Sequence, residues 1–305
     1  MIIRRQFLRA RIQSIGSTQF RSTFGHGIST RNHATYSSSE VNHFNQLASS
    51  WWDAQGPSRL LHKMNPIRLQ FIFDTIDSHA VPSLTRTDNL QVLDVGCGGG
   101  ILTESLARHG RVDRVLGIDM SSQVLDVAIA HKRQDPDLVL TNDNRLSYKL
   151  CALQDLPLPN PHHASADQQH DDDDRRFDVV TLFEVLEHVP DPAAVLHAAC
   201  QRVRAGGWVF ASTVNRTAAA YLTTIGLGEH LLRVVPVGTH SWHKYINEHE
   251  LRQWFIENKT GSGKRDDEHW DVVRSQGCVY VPFVGWQWGG PKNMGNYFLA
   301  ARRTR

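Results

Sequence analysis

Cysteine is scarce in this 305-residue chain, and its four residues, at 97, 151, 200 and 278, form no C-x-x-C pair and no regular spacing. That excludes a disulfide framework and a cysteine zinc site, and it suits a reducing compartment. No uninterrupted apolar run reaches the roughly 18 residues that a membrane span needs, and no internal repeat is present. Acidic residues are missing from one end: residues 1–39 hold six Arg and seven Ser but no Lys, Asp or Glu. Removing them leaves 27 Lys and Arg against 31 Asp and Glu, a net of −4, although the whole chain carries +2. A basic, acid-free, Arg- and Ser-rich leader predicts a mitochondrial transit peptide over residues 1–39. The acidic body that remains, residues 40–305, excludes a nucleic-acid partner.

What the chain does have is organised around residues 90–108. Val92, Leu93 and Val95 read as a short buried strand, and Leu102 and Leu106 share one face of the helix that follows. Between them Asp94-x-Gly96-x-Gly98-x-Gly100 predicts a tight turn whose glycines leave backbone N–H groups open to a ligand. The dinucleotide pattern G-x-G-x-x-G is not met, because Ile101 stands at its third glycine. The Asp94 carboxylate would repel a pyrophosphate and favours a ligand with a positive end. A second apolar strand over residues 115–118 ends at Asp119, 25 residues beyond Asp94, where a carboxylate can accept both hydroxyls of a ribose. This acid-plus-glycine pattern resembles the first motif of the class I S-adenosylmethionine (SAM)-dependent methyltransferases, whose ligand carries an ammonium and a sulfonium.

Upstream, Phe44, Leu47, Ala48 and Trp51 recur at helical spacing, and Asn65-Pro66 reads as an N-cap with proline at the first helical position. The helix so opened puts Leu69, Ile72, Phe73 and Ile76 on one face and leaves Arg68 off it, which by periodicity alone is a solvated surface charge. The two helices together read as an N-terminal cover over the glycine loop. Downstream, strands and helices alternate, which predicts an α/β fold with a doubly wound, seven-stranded, mostly parallel sheet. Ser121 or Ser122 and Asp191-Pro192 read as helix starts, Gly206-Gly207 as a turn into a strand over 208–213, and Asn247 with Glu250 as a capping box. Final strands are expected near 270–275 and 296–302. Residues 157–176, with paired His and a run of Asp, read as a flexible acidic insertion.

Two stretches carry further chemistry. A strand over 177–183 runs into Glu184, Glu187 and His188, whose i, i+3, i+4 spacing on one helical turn would aim all three at a common point. Two carboxylates and an imidazole can hold Mg²⁺, and equally Mn²⁺, Fe²⁺ or Zn²⁺; without a metal the same residues form an active-site floor. Residues 214–245 make a connection too long for a passive loop. Its mostly apolar part, 218–236, is interrupted by Glu229, His230 and Arg233, so it reads as an interfacial segment, a roof over an apolar pocket, or a core helix. The polar and aromatic residues 238–245 that follow suit a phenolic substrate.

With Trp51-Trp52-Asp53, Leu61-His62-x-Met64-Asn65-Pro66-Ile67-Arg68, the run 92–104, Glu184-x-x-Glu187-His188-Val189 and Gly238-Thr239-His240 in order, the chain resembles the ubiquinone-biosynthesis O-methyltransferases over about residues 40–302. The resemblance implies methylation of catechol-type hydroxyls on polyprenylated intermediates, at both the polyprenyl-dihydroxybenzoate and demethylubiquinol steps. It implies that Arg68, Gly96, Asp119 and Phe183 contact SAM and that Glu184, Glu187 and His188 ligate Mg²⁺. A cation there would chelate both catechol hydroxyls and lower the acceptor's pKa, with His240 as the candidate base, or Glu184 if the metal is absent. It further implies the matrix face of the inner mitochondrial membrane, as a peripheral protein among other coenzyme Q biosynthetic proteins. Leu153 and Gln154 are the candidates for the adenine contact. An Asn/Asp-Pro-Pro-aromatic motif is lacking, which disfavours methylation of base amino groups.

Overall fold

The computed structural model of the chain describes residues 37–139, 145–158, 176–217, 244–257, 269–289 and 295–304. Helices α1 (Ser38–Leu47) and α2 (Arg59–His79) precede an alternating series: β1 (Leu90–Val95), α3 (Ile101–Ala107), β2 (Val112–Asp119), α4 (Ser122–Lys132), α5 (Pro136–Val139) and β3 (Leu146–Leu150). The chain continues with β4 (Phe177–Phe183), α6 (Pro192–Cys200), β5 (Val203–Val214), α7 (Glu248–Glu257), β6 (Trp270–Val281), β7 (Gly285–Trp288) and β8 (Asn296–Arg303).

One sheet of eight strands results, in the order β3-β2-β1-β4-β5-β8-β6-β7. Strands β1 to β5 are parallel, while β8 runs antiparallel to β5 and to β6. Strand order reverses between β1 and β4, so the crevice at their carboxyl ends is the place where such a sheet binds a ligand. The core is dense in aromatics where α2 crosses the sheet: Phe71 lies 6.0 Å from Phe210 and 5.3 Å from Phe298, ring centre to ring centre. Ser121 and Asp191 cap α4 and α6 by accepting from Val124 and Ala194 backbone N–H, as their positions predict.

Four expectations are corrected. The sheet has eight strands rather than seven, because β6 continues past residue 275 and turns into the short β7. Gly206 and Gly207 lie inside β5; Gly206 takes φ 77° there, beside a register shift against β4, so the pair makes an irregularity in a strand rather than a turn before one. At Asn247 only half of the capping box forms: its N–H donates to Glu250 (2.8 Å), while its side-chain oxygen accepts from Arg216 N–H. Finally, α2 begins at Arg59, not at Pro66. Pro66 sits on the exposed face of the helix, and buried Asn65 donates to the Ile101 carbonyl (3.1 Å) and Ser105 hydroxyl (2.8 Å), tying α2 to α3.

Candidate active site

A cavity of about 580 Å³ opens at the strand reversal. Asp94, the fifth residue of β1, pairs in register with Thr181 of β4, which explains its first partner: the Thr181 hydroxyl donates to it at 2.6 Å. The Thr103 hydroxyl of α3 donates to its other oxygen at 2.6 Å. Burial raises the Asp94 carboxyl against these two hydrogen bonds and the Arg68 charge. Asp119 closes β2 and accepts from the backbone N–H groups of Gly98 (2.9 Å) and Ser121 (2.8 Å). It thereby holds the glycine loop open from one side.

The N-terminal cover holds it from the other. Trp52 stacks flat on His131, with ring centres 3.4 Å apart, and donates to the Gly99 carbonyl at 2.8 Å. Trp51 packs with Ala48, Ile101 and Val124, and its ring lies where a Cβ on Gly98 or Gly99 would stand. The helical periodicity of residues 44–51 is therefore borne out as a cover packed on this loop.

Arg68 overturns the periodicity reading. It is 6 % exposed, its guanidinium lies over the Phe183 ring at 5.7 Å, and it lines the cavity with Gly96 and Asp119. Helix α2 buries a wider face than an apolar count predicts, with Met64, Arg68, Phe71 and Thr75 all inward. The Arg68 Nε has no hydrogen-bond partner among the described residues. Burial lowers its pKa, opposed by the charges of Glu184 and Asp94. A buried guanidinium with an unpartnered Nε, on the wall of a cavity beside a glycine loop, fits the carboxylate of an amino-acid ligand. Leu153 and Gln154 line the same cavity.

Glu184, Glu187 and His188 also line it, but the expected helical turn does not form. Glu184 takes φ 56°, which breaks a helix at its first residue. Each donor is instead engaged by a protein partner. Glu184 accepts from the Ser212 hydroxyl (2.6 Å), Glu187 from the Thr213 hydroxyl (2.9 Å), and His188 Nδ1 meets Glu40 at 3.1 Å. Burial first, and the Glu184 charge second, push the Glu187 carboxyl up. No group of three His, Cys, Asp or Glu side chains among the described residues is gathered to hold a metal.

Glu40 has no signal in the sequence beyond its place at the start of α1. It accepts from Lys244 at 2.7 Å as well as meeting His188, and the His188 hydrogen bond does most to hold it down at about 2. His188 is raised in turn: Glu40 and the nearby carboxylates outweigh its burial. His240 and residues 218–243 lie outside the described residues, as do residues 1–36 and 159–175.

Asp119→Ala is expected to weaken SAM binding by about 1–3 kcal/mol, because it removes a carboxylate acceptor and frees the Gly98 N–H. Isothermal titration that finds unchanged affinity would remove Asp119 from the site.

Comparison with known proteins agrees with the geometry. A family profile described as "Methyltransferase domain" matches residues 59–259. The solved magnesium protoporphyrin IX methyltransferase of Synechocystis PCC 6803 superposes with a TM-score of 0.53 at 16 % identity, over 87 % of this chain and 99 % of that one, which establishes the fold. The mitochondrial ubiquinone biosynthesis O-methyltransferase of Candida albicans is 41 % identical over 88 % of this chain and 86 % of its own length. That of Saccharomyces cerevisiae is 34 % identical over 99 % of both. Identity at that level over most of both chains means that the chain belongs to the ubiquinone biosynthesis O-methyltransferases.

Proposed function

We propose that this chain transfers the methyl group of SAM to a catechol-type hydroxyl of polyprenylated intermediates in ubiquinone biosynthesis, at both the polyprenyl-dihydroxybenzoate and demethylubiquinol steps. The observation that carries this reading is the continuity of one cavity from Gly96 and Asp119 to Glu184, Glu187 and His188. A donor seated on the glycine loop and an acceptor at the β4 end would share a single space.

Methyl transfer from a sulfonium is an in-line displacement, so holding acceptor oxygen, methyl carbon and sulfur aligned supplies much of the rate. As the O–C bond forms, the C–S bond breaks and its electrons pass to sulfur, leaving S-adenosylhomocysteine. The hydroxyl proton passes to a carboxylate or imidazole. His240 is the base in this proposal, and Glu184, oriented by Ser212, takes that role where no metal is bound. Apolar walls such as Phe44, Leu61 and Val185 keep water from the sulfonium.

The proposal extends to a Mg²⁺ ion held by Glu184, Glu187 and His188, which requires His188 to exchange Glu40 for the cation. The two carboxyl groups of Glu184 and Glu187, lining one cavity with His188, support it. It extends also to residues 1–39 as a transit peptide ahead of a methyltransferase domain over 40–305, and to the matrix face of the inner membrane. The fungal relatives are named mitochondrial. No helix among the described residues is long and apolar enough to cross a membrane.

The test is methyl transfer from labelled SAM to a short-chain prenyl catechol by the purified protein, with and without EDTA. A methylated product confirms the reaction, and none despite bound SAM refutes it. Loss of turnover in EDTA with SAM affinity kept, restored by Mg²⁺, would place the cation. Full turnover by enzyme verified metal-free would reduce the triad to a floor, and Glu187→Gln should then be nearly silent.

A further inference from the structure

The β6–β7 hairpin breaks a local rule. Val284 N–H donates to the Val281 carbonyl at 3.1 Å, closing a turn with Pro282 second and Phe283 third. Phe283 takes φ 66°, a conformation that glycine or asparagine adopts at little cost and a bulky aromatic rarely does. Phe283 is also fully exposed, and Val281 and Val284 beside it are exposed too. A strained backbone and a bare aromatic ring at one position argue that the side chain is kept for what it meets outside the fold.

The surroundings say what that is. Behind the tip stand Tyr280 and Trp286, paired in register with ring centres 5.5 Å apart. Trp286 donates to the Leu60 carbonyl at 3.0 Å, which fixes the hairpin to α2. Lys63, exposed on α2, lies 5.9 Å from the Tyr280 ring centre and donates to its hydroxyl at 3.4 Å. An apolar tip, then amphipathic rings, then a cation is the order in which a protein meets an anionic bilayer. Tyr280, Pro282 and Trp286 also line the cavity, so the tip stands at its mouth. A second protein copy is a poorer occupant: three apolar side chains fall far short of the roughly 800 Å² per partner of a stable interface.

We propose that the tip Val281–Val284 inserts into an anionic lipid surface, so that the cavity mouth between Tyr280 and Trp286 opens onto the bilayer and receives the polyprenyl tail from it. The lipid contact stands on the hairpin alone. The passage of the tail rests on the functional reading above.

The test is flotation of the full chain with substrate-free vesicles of phosphatidylcholine, with or without phosphatidylglycerol, alongside turnover of a short-chain catechol in solution. The wild type should float, and more so with phosphatidylglycerol. Phe283→Asn suits the turn, so it should melt no lower than wild type, yet its partitioning should fall about tenfold or more, and further with Val284→Asn. Phe283→Trp should float like wild type, and Lys63→Gln should lose the preference for phosphatidylglycerol. Phe283→Asn should turn over the soluble catechol normally and lose rate on a long-chain substrate held in vesicles. A wild type that does not float, or Phe283→Asn floating undiminished, overturns the proposal. So does a dimer in light scattering that Phe283→Asn dissociates, because the tip would then serve a second copy. Flotation that depends on Phe283 without turnover of any catechol would strike the functional reading and leave the lipid contact standing.

Discussion

Gly98→Val is expected to weaken SAM binding by several hundredfold while the protein stays folded. Gly98 has φ 54°, where an L residue costs about 1–2 kcal/mol. Its new Cβ would enter the Trp51 ring, and overpacking of that kind costs about 1–3 kcal/mol. The chain relieves both by moving the loop or lifting Trp51, and either motion disturbs the hydrogen bond from Gly98 N–H to Asp119, worth about 1 kcal/mol. The sum is about 4 kcal/mol. It falls on the ligand's cradle, which joins the sheet at the Asp119 end of β2, rather than on the buried strands behind it. Gly98→Ala keeps the dihedral cost and the first contact with Trp51 but lacks the branch, so its affinity should lie between the two. Calorimetric titration and thermal melting separate the effects; a valine variant with normal affinity would show that the loop does not cradle the ligand.

In the folded protein the need for glycine at 98 has another cause than the sequence suggests. From sequence the glycines read as room for a ligand to reach the backbone. At Gly98 the space is in fact taken by Trp51, a residue 47 positions earlier, brought there by the amphipathic turn of residues 44–51. The spacing marks where the backbone must be bare, but not which neighbour requires it. The same limit explains the edge of the sheet. Parallel strands β1 and β4, and β2 from Val115 onward, are largely buried and read as apolar runs, so their ends at Val95, Asp119 and Phe183 are legible to the residue. Strand β6 alternates Arg274, Gln276 and Cys278 with smaller or exposed residues, and β7 is four residues long, so neither extent is written in hydropathy.

The site divides along a similar line. Glu184, Glu187 and His188 are close in sequence and do reach one cavity, yet their mutual geometry is set by partners that no spacing announces: Ser212, Thr213 and Glu40. A helical turn needs an αR residue at 184, and the end of a buried strand supplies an αL one. Glu40 was invisible because a single glutamate at a helix start is ordinarily a favourable charge near the helix dipole. Its role depends on where Lys244 and His188 arrive.

Arg68→Met is expected to cost SAM affinity about 3 kcal/mol, a little over a hundredfold, and at the same time to leave the ligand-free protein as stable as wild type or more so. The two halves share one cause. Arg68 is buried with its Nε unpartnered, and burial opposes its charge. Holding an incompletely paired guanidinium in that place costs the empty protein free energy, which an apolar chain of similar length would not. The protein carries this cost because the cavity wall then offers a cation to the carboxylate of the methionine end, with Asp94 close enough to offset the ammonium beside it. Arg68→Lys keeps the charge but not the planar fork, so it should recover only part of the affinity. Titration calorimetry gives the first half and melting without ligand the second. A methionine variant that binds SAM normally would return Arg68 to a structural role over Phe183. One that loses affinity and also melts much lower would mean that the guanidinium holds the wall itself together.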